Sequence, residues 1–269
     1  MNHGGQRMPT ATIVDHPLFL ALFNLALGAL LGVVGGLLGI GGGLIAIPVL
    51  GYLYGMDQHL AQGTALIMIA PNVMMGFWRY HQRHPVALRQ VAVAASCAMA
   101  STYVAARLAA GISAGGLHTA FAVFLVVLAL YFGLPSRARA PSAPAAPARP
   151  LPRWALPLLG LGSGAMSGIF TVGGGLVVVP ALVGLLRMAQ TQAQGVAMAL
   201  VAPGALVALA AYAQGGHVDW GTGLPMALGG VLTVSWGVQL AYRLPAARLR
   251  MLFCVVLLGT AGAMLVTGH

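Results

Sequence analysis

The sequence predicts an all-α polytopic membrane protein made of two homologous halves, each of four to five transmembrane segments, with glycine-rich breaks at matching places. Three observations predict it. Hydrophobic residues make up 59% of the 269-residue chain and charged residues only 6%, against roughly 25% charged in soluble domains, and the mean hydropathy is +0.90. The apolar residues form continuous runs of roughly 20, the length of a spanning helix, without the short alternation of an outer-membrane barrel. The second half of the chain also repeats the first.

The apolar runs lie at 18–38, 44–56, 60–79, 86–110 and 116–134, then at 154–172, 174–187, 192–213, 220–241 and 249–267. The first begins near Pro17 with neither a basic region before it nor a small-residue cleavage pattern after it, so it is expected to persist as a helix. The second run of each set is short. At about 1.5 Å per residue it reaches roughly 20 Å, less than the ~30 Å hydrocarbon core, and is expected to dip into the membrane. One stretch breaks the pattern: SRARAPSAPAAPARPLPR, Ser136 to Arg153, rich in Pro, Ala and Arg and without a period, reads as a linker. The expected organisation is a tail at 1–17, a first transmembrane repeat at 18–134, a linker at 135–153 and a second repeat at 154–267.

The duplication is explicit. GLLGIGGGLIAIP at 36–48 matches GIFTVGGGLVVVP at 168–180, and AQGTALIMIAP at 61–71 matches AQGVAMALVAP at 193–203. Both pairs share one offset of 132 residues, and each keeps six identical positions. A shared offset without a gap is more than chance likeness between apolar runs delivers.

All 13 basic residues are arginine, and the acids are Asp15, Asp57 and Asp219 alone, for a formal charge of +10. In a membrane protein such a balance reads as topology and not as nucleic-acid binding. If each glycine segment turns the chain back, the arginines divide 2 to 11 between the two sides; if each merely interrupts one crossing, they divide 8 to 5. The sharper asymmetry fits the positive-inside rule, and predicts inverted halves with a cytoplasmic linker and both termini outside. Cys97 and Cys254 sit singly in apolar runs and make neither a disulfide framework nor a metal cluster.

Glycine costs about 1 kcal/mol relative to alanine inside a helix, so Gly41, Gly42 and Gly43, and their repeats Gly173, Gly174 and Gly175, argue for broken helices. Broken backbone at membrane depth needs protein or a water-filled cavity to satisfy its polar groups. A helix resuming after the break aims free N–H groups and its positive dipole end inward, which suits an anion, and paired interrupted segments mark substrate sites in transporters. The four-residue spacing of Gly28, Gly32 and Gly36, and of Gly160, Gly164 and Gly168, reads instead as helix packing.

Gln62 and Gln194 occupy matching places after the breaks, either to bind substrate or to bond across helices. Thr64, Asn72, Ser163, Ser167 and Thr171 are neutral donors able to replace an oxyanion's water shell, although Ser and Thr also bond local carbonyls. Trp78, Arg79 and Tyr80, in WRYHQRH, read as an interfacial anchor. His81 and His84 lack an acidic or cysteine partner for metal, no carboxylate is plainly buried as a proton relay, and no Walker-type motif is present.

The blocks G-x-x-x-G-I-G-G-G-L-x-x-x-P with A-Q-G-T, and G-x-x-x-V-G-G-G-L-x-x-x-P with A-Q-G-V, resemble the sulfite exporter TauE/SafE family, over roughly residues 18 to 267. The resemblance implies a multi-pass permease of the bacterial inner membrane for small sulfur-containing anions such as sulfite or sulfoacetate, of about eight spans. It implies no enzyme activity and no cofactor. Val196 stands where the first half has Thr64, and Gly204 where it has Asn72, so any site is not symmetric. An anion channel and a cation or metal permease remain open alternatives, and a membrane-embedded cofactor enzyme would need axial histidines, a thiol pair or a buried catalytic carboxylate. The partners expected are a small anion and the lipid bilayer, not nucleic acid, and the sequence assigns no oligomeric state.

Overall fold

A computed structural model describes residues 17–83, 88–133, 155–171, 174–186 and 188–267. Its helices are α1 (Pro17–Leu38), α2 (Gly43–Tyr54), α3 (Gln58–Arg83), α4 (Leu88–Ala109), α5 (Ala114–Gly133), α6 (Ala155–Phe170), α7 (Gly175–Leu186), α8 (Gln190–Gln214), α9 (Trp220–Arg243) and α10 (Ala246–Thr267). The expected ten runs are all helical, and no strand occurs among the described residues. The N-terminal tail, the linker, His84 and Gly173 lie outside them.

Six helices, α1, α3, α4, α8, α9 and α10, contain stretches long and apolar enough to cross a bilayer. The short α2 and α7 have 12 residues each. α3 and α8 form the buried centre, and the apolar side chains of the outer helices, among them Leu30, Val127, Leu228, Leu232 and Trp236, point outward. That distribution is what a lipid-solvated bundle requires, since lipid tails are as apolar as leucine and give helices no hydrophobic reason to associate.

Association therefore rests on close approach, and the spaced glycines provide it. Gly28, Gly32 and Gly36 of α1 lie on Met226, Gly230 and Val234 of α9, while Gly160, Gly164 and Gly168 of α6 lie on Ala94, Ala98 and Thr102 of α4. In both seams the numbers rise together, so the paired helices are parallel, and each seam joins one half of the chain to the other. α3 is parallel to α9 (Ile67 on Gly223, Asn72 on Gly230) and antiparallel to α8, because Gln62 meets Tyr212 and Tyr80 meets Gln194. α8 runs parallel to α4, with Gly204 on Thr102 and Gln214 on Arg107.

The glycine segment turns the chain back. α1 ends at Gly39, and Gly42 has already returned to the level of Leu31, whose carbonyl oxygen lies 2.8 Å from where a Gly42 methyl would be. α2 then runs antiparallel to α1, and at its far end the Tyr54 hydroxyl donates to Asn24 Oδ1. At that same end Asp219 caps α9, its Oδ1 accepting from Gly221 N at 2.9 Å and Thr222 N at 3.4 Å.

A methyl on Gly164 would lie 2.2 Å from the Ala98 carbonyl oxygen, and one on Gly32 2.5 Å from the Gly230 carbonyl oxygen. Gly164→Ala and Gly32→Ala should each destabilise the protein by about 1–3 kcal/mol through overpacking against backbone. Gly162→Ala, on the same helix as Gly164 but facing open space, should leave the unfolding temperature in detergent no lower and raise it slightly, since alanine is the better helix former.

Candidate functional site

The first break is built by backbone hydrogen bonds. Gly39 N and Ile40 N both donate to the Gly35 carbonyl, at 3.0 and 3.1 Å, closing α1 with Gly39 in the left-handed conformation (φ 74°). Gly41 (φ 73°) and Gly42 (φ 95°) continue in conformations that L side chains rarely adopt. α2 starts at Gly43, and no side chain caps its N-cap residue, Gly42. The first turn of α2 is buried, with Gly43 and Leu44 shielded from solvent. A helix N-terminus carries N–H groups without intrahelical partners, and burying one without a cap leaves donors facing the interior.

The second break repeats this at the same offset. Thr171 N donates to the Ser167 carbonyl at 2.9 Å, as Gly39 N does to Gly35. Val177 and Val178 N donate to Gly174 O as Ile45 and Ala46 N do to Gly42 O. Gly174 packs on Ser163 as Gly42 packs on Leu31. Thr171 takes the left-handed backbone (φ 54°) that Gly39 takes in the first half. For a β-branched residue this is a true outlier, and its Oγ1 donates to the carbonyl of Phe170 at 2.8 Å. The two breaks touch: a methyl on Gly175 would sit 3.2 Å from the Gly39 carbonyl oxygen.

Side chains from both halves converge on these breaks. Gln194 of α8 donates from Nε2 to the Leu37 carbonyl (3.2 Å) and accepts at Oε1 from the Tyr80 hydroxyl (2.8 Å), which also lies 3.1 Å from Gly36 O. At the matching place Gln62 Oε1 accepts from the Tyr212 hydroxyl at 2.6 Å, but Gln62 Nε2 has no partner among the described residues. Asn72 Nδ2 donates to Gly41 O at 3.4 Å, with its Oδ1 unpartnered, and the buried Ser163 and Ser167 hydroxyls are unpartnered likewise. Thr64 Oγ1 accepts from Asp219 N at 2.9 Å, so it ties α3 to the start of α9.

Gly41, Gly42, Gly43, Asn72 and Gln194 are thus brought together around the first break, and Ser167, Thr171, Gly174 and Gly175 around the second, with Gln62 at the start of α3. Gly173 lies outside the described residues. Tyr80 departs from the expected anchor: Trp78 is exposed and Arg79 stacks on it at 5.0 Å, but Tyr80 is 1% exposed. The signal that identifies Tyr80 is the offset, which pairs it with Tyr212.

A cavity of about 570 Å³ opens between α2, α3 and α5, lined by Ile47, Tyr52, Asp57, Gln58, His118 and Thr119 among others. It stops short of the breaks, although Ile47 is one turn from the start of α2 and Gln58 one turn from Gln62. Arg79, Arg83, Arg243, Arg248 and Arg250 lie toward the other end of the bundle, whereas Arg107 stands at the cavity end, bonded to Gln214 at 3.3 Å.

Two interlocked sets of five helices, with two half-length helices breaking toward a common buried point, define an integral multi-pass membrane protein of the transporter class. A sequence model of the family described as sulfite exporter TauE/SafE matches residues 24–264, and the chain belongs to that family. It is similar to a "Probable membrane transporter protein" of Xylella fastidiosa strain 9a5c, with 27% identity over 222 residues, 82% of this chain and 85% of the relative. The protein of the same name from strain Temecula1 matches to the same extent. No solved structure is significantly similar. Membership makes this a membrane transporter that works in a lipid bilayer on a small substrate, and its bacterial relatives fit a plasma-membrane location.

Left-handed backbone costs an L residue about 1–2 kcal/mol. Thr171→Gly should therefore remove strain and raise the unfolding temperature, whereas Gly39→Thr, which drives a side chain into Gln194, should lower it.

Proposed function

We propose that the protein is a secondary transporter for a small anion, most simply sulfite or an organosulfonate, bound between the starts of α2 and α7. The observation that carries this reading is the buried, uncapped N-terminus of α2 beside the matching break of α7. Such a terminus presents backbone donors and roughly half a positive charge to a ligand. The surrounding side chains are neutral amides and hydroxyls, Asn72, Gln62, Gln194, Ser167 and Thr171. They exchange hydrogen bonds with an oxyanion without adding a fixed charge that would hold it too tightly to release.

The antiparallel pairing of α3 with α8, the equivalent helices of the two repeats, supports inverted halves, the arrangement of carriers that alternate access around a central site. The grouping of arginines opposite the cavity supports a cytoplasmic arginine end and an external cavity. With the inside negative, outward movement of a monovalent anion is favoured by about 2.3 kcal/mol per 100 mV, so export requires no ATP.

Gly42 and Gly174 are poor probes of the site, because any side chain there collides with α1 or α6. Asn72 is better: Asn72→Asp keeps the shape and adds a negative charge beside Gly41. In proteoliposomes, saturable sulfite uptake with counterflow is expected, reduced about tenfold or more by Asn72→Asp, since like charges interact strongly where water is excluded. His81→Ala should leave it unchanged. Wild-type uptake by folded Asn72→Asp protein would sink the placement of the site. Flux without saturation or counterflow would favour a channel, and loss of transport in His81→Ala a metal permease. Competition among sulfite, sulfate, thiosulfate, sulfoacetate and acetate then ranks the anions.

A further inference from the structure

We infer that Gln58 and Gln62 form an outer binding site for an oxyanion, a two-rung ladder of side-chain amides leading from the open cavity to the breaks. The inference rests on the anion reading above and adds an access route and its sidedness. The two glutamines are four residues apart on α3 and so share one face of the helix. Both are buried, Gln58 at 7% exposed and Gln62 at 0%, and in each the Nε2 amide has no partner among the described residues. Gln58 lines the cavity of about 570 Å³. Two buried N–H₂ groups with unmet donors, one turn apart, the outer one on a residue that lines the open cavity, call for an acceptor ligand, and leaving such groups unpaired is costly.

The second half carries the same ladder, Gln190 and Gln194, on a helix that runs the other way. There the inner rung is occupied by the protein itself: Gln194 Nε2 donates to Leu37 O, and Tyr80 closes over Gln194 Oε1. The two ladders are therefore unequal in this conformation. The one on the cavity side offers its amides to a ligand, and the one on the arginine side is fastened to the end of α1. Transport exchanges these roles. Asp57 also lines the cavity and opposes an anion there, but its Oδ1 caps α3 by accepting from Leu60 N at 2.9 Å, which directs part of its charge into the helix end. His118, which also lines the cavity, has Nε2 on the Met264 carbonyl at 3.1 Å.

The test places a reporter in the cavity: Thr119→Cys in a Cys97→Ser, Cys254→Ser background, labelled by a membrane-impermeant maleimide in oriented vesicles. Methanesulfonate should slow labelling from the cavity face, and chloride at equal ionic strength should not. Gln58→Leu should weaken that protection about fivefold, the effect of losing one buried hydrogen bond. Gln58→Glu, which keeps size and shape, should abolish it, and Asp57→Asn should strengthen it. No protection in the parent protein, or undiminished protection with Gln58→Glu, overturns the ladder. Labelling needs no flux, so protection without uptake counts only against the carrier reading, and uptake without protection only against the ladder.

Discussion

Everything in this structure follows from one constraint: backbone polar groups freed inside a membrane must find partners within the protein. α1 stops with its last carbonyls buried, and those carbonyls are met from elsewhere. Gly35 O takes two amides of the turn itself, Gly36 O lies 3.1 Å from the Tyr80 hydroxyl, Leu37 O takes the Gln194 amide, and beyond the helix end Gly41 O takes Asn72. Gln194 belongs to the other repeat, 157 residues away along the chain. A first-half helix thus ends inside the protein with a second-half helix supplying one of its donors. The repeats resemble two domains in sequence but do not satisfy their own backbones separately.

The interlocked seams serve the same end. Broken helices stay put only if the elements around them are rigid, and in lipid rigidity has to come from contact area rather than from expelled water. The glycine faces of α1 and α6 bring backbone against backbone over three successive turns, which fixes the position of each break relative to α9 or α4. That positioning is what allows Gly39 and Gly175 to meet.

Much of this was legible in the sequence. The ten apolar runs, the packing glycines and the turn-back at Gly41 and Gly42 follow from hydrophobic run length, small-residue spacing and the arginine asymmetry. The offset of the repeat goes further, since it pairs Gln62 with Gln194 and Tyr80 with Tyr212 before any coordinates are known. Tyr80 was obscured by its neighbours: beside Trp78 and Arg79 at the end of a helix it looks like part of an aromatic belt, and its burial depends on α8, which no local pattern reveals. Thr64 has a structural tie that no local pattern reveals: its Oγ1 accepts from Asp219 N, which leaves the hydroxyl proton to donate elsewhere. The depth of Gln58 was also illegible, because the cavity that reaches it is completed by α5, more than fifty residues further along the chain.

Thr171 against Gly39 bears on more than local strain. A carrier with identical inverted halves has two facing states related by symmetry, and these are equally populated in a symmetric environment. Here the first break carries glycine and the second a threonine held in left-handed backbone, a difference of about 1–2 kcal/mol between them. An offset of that size between two conformations is a population ratio of roughly five- to thirtyfold. On the carrier reading proposed above, this one residue would give the duplicated scaffold a resting orientation, a preference for facing one side of the membrane before any gradient or substrate acts on it.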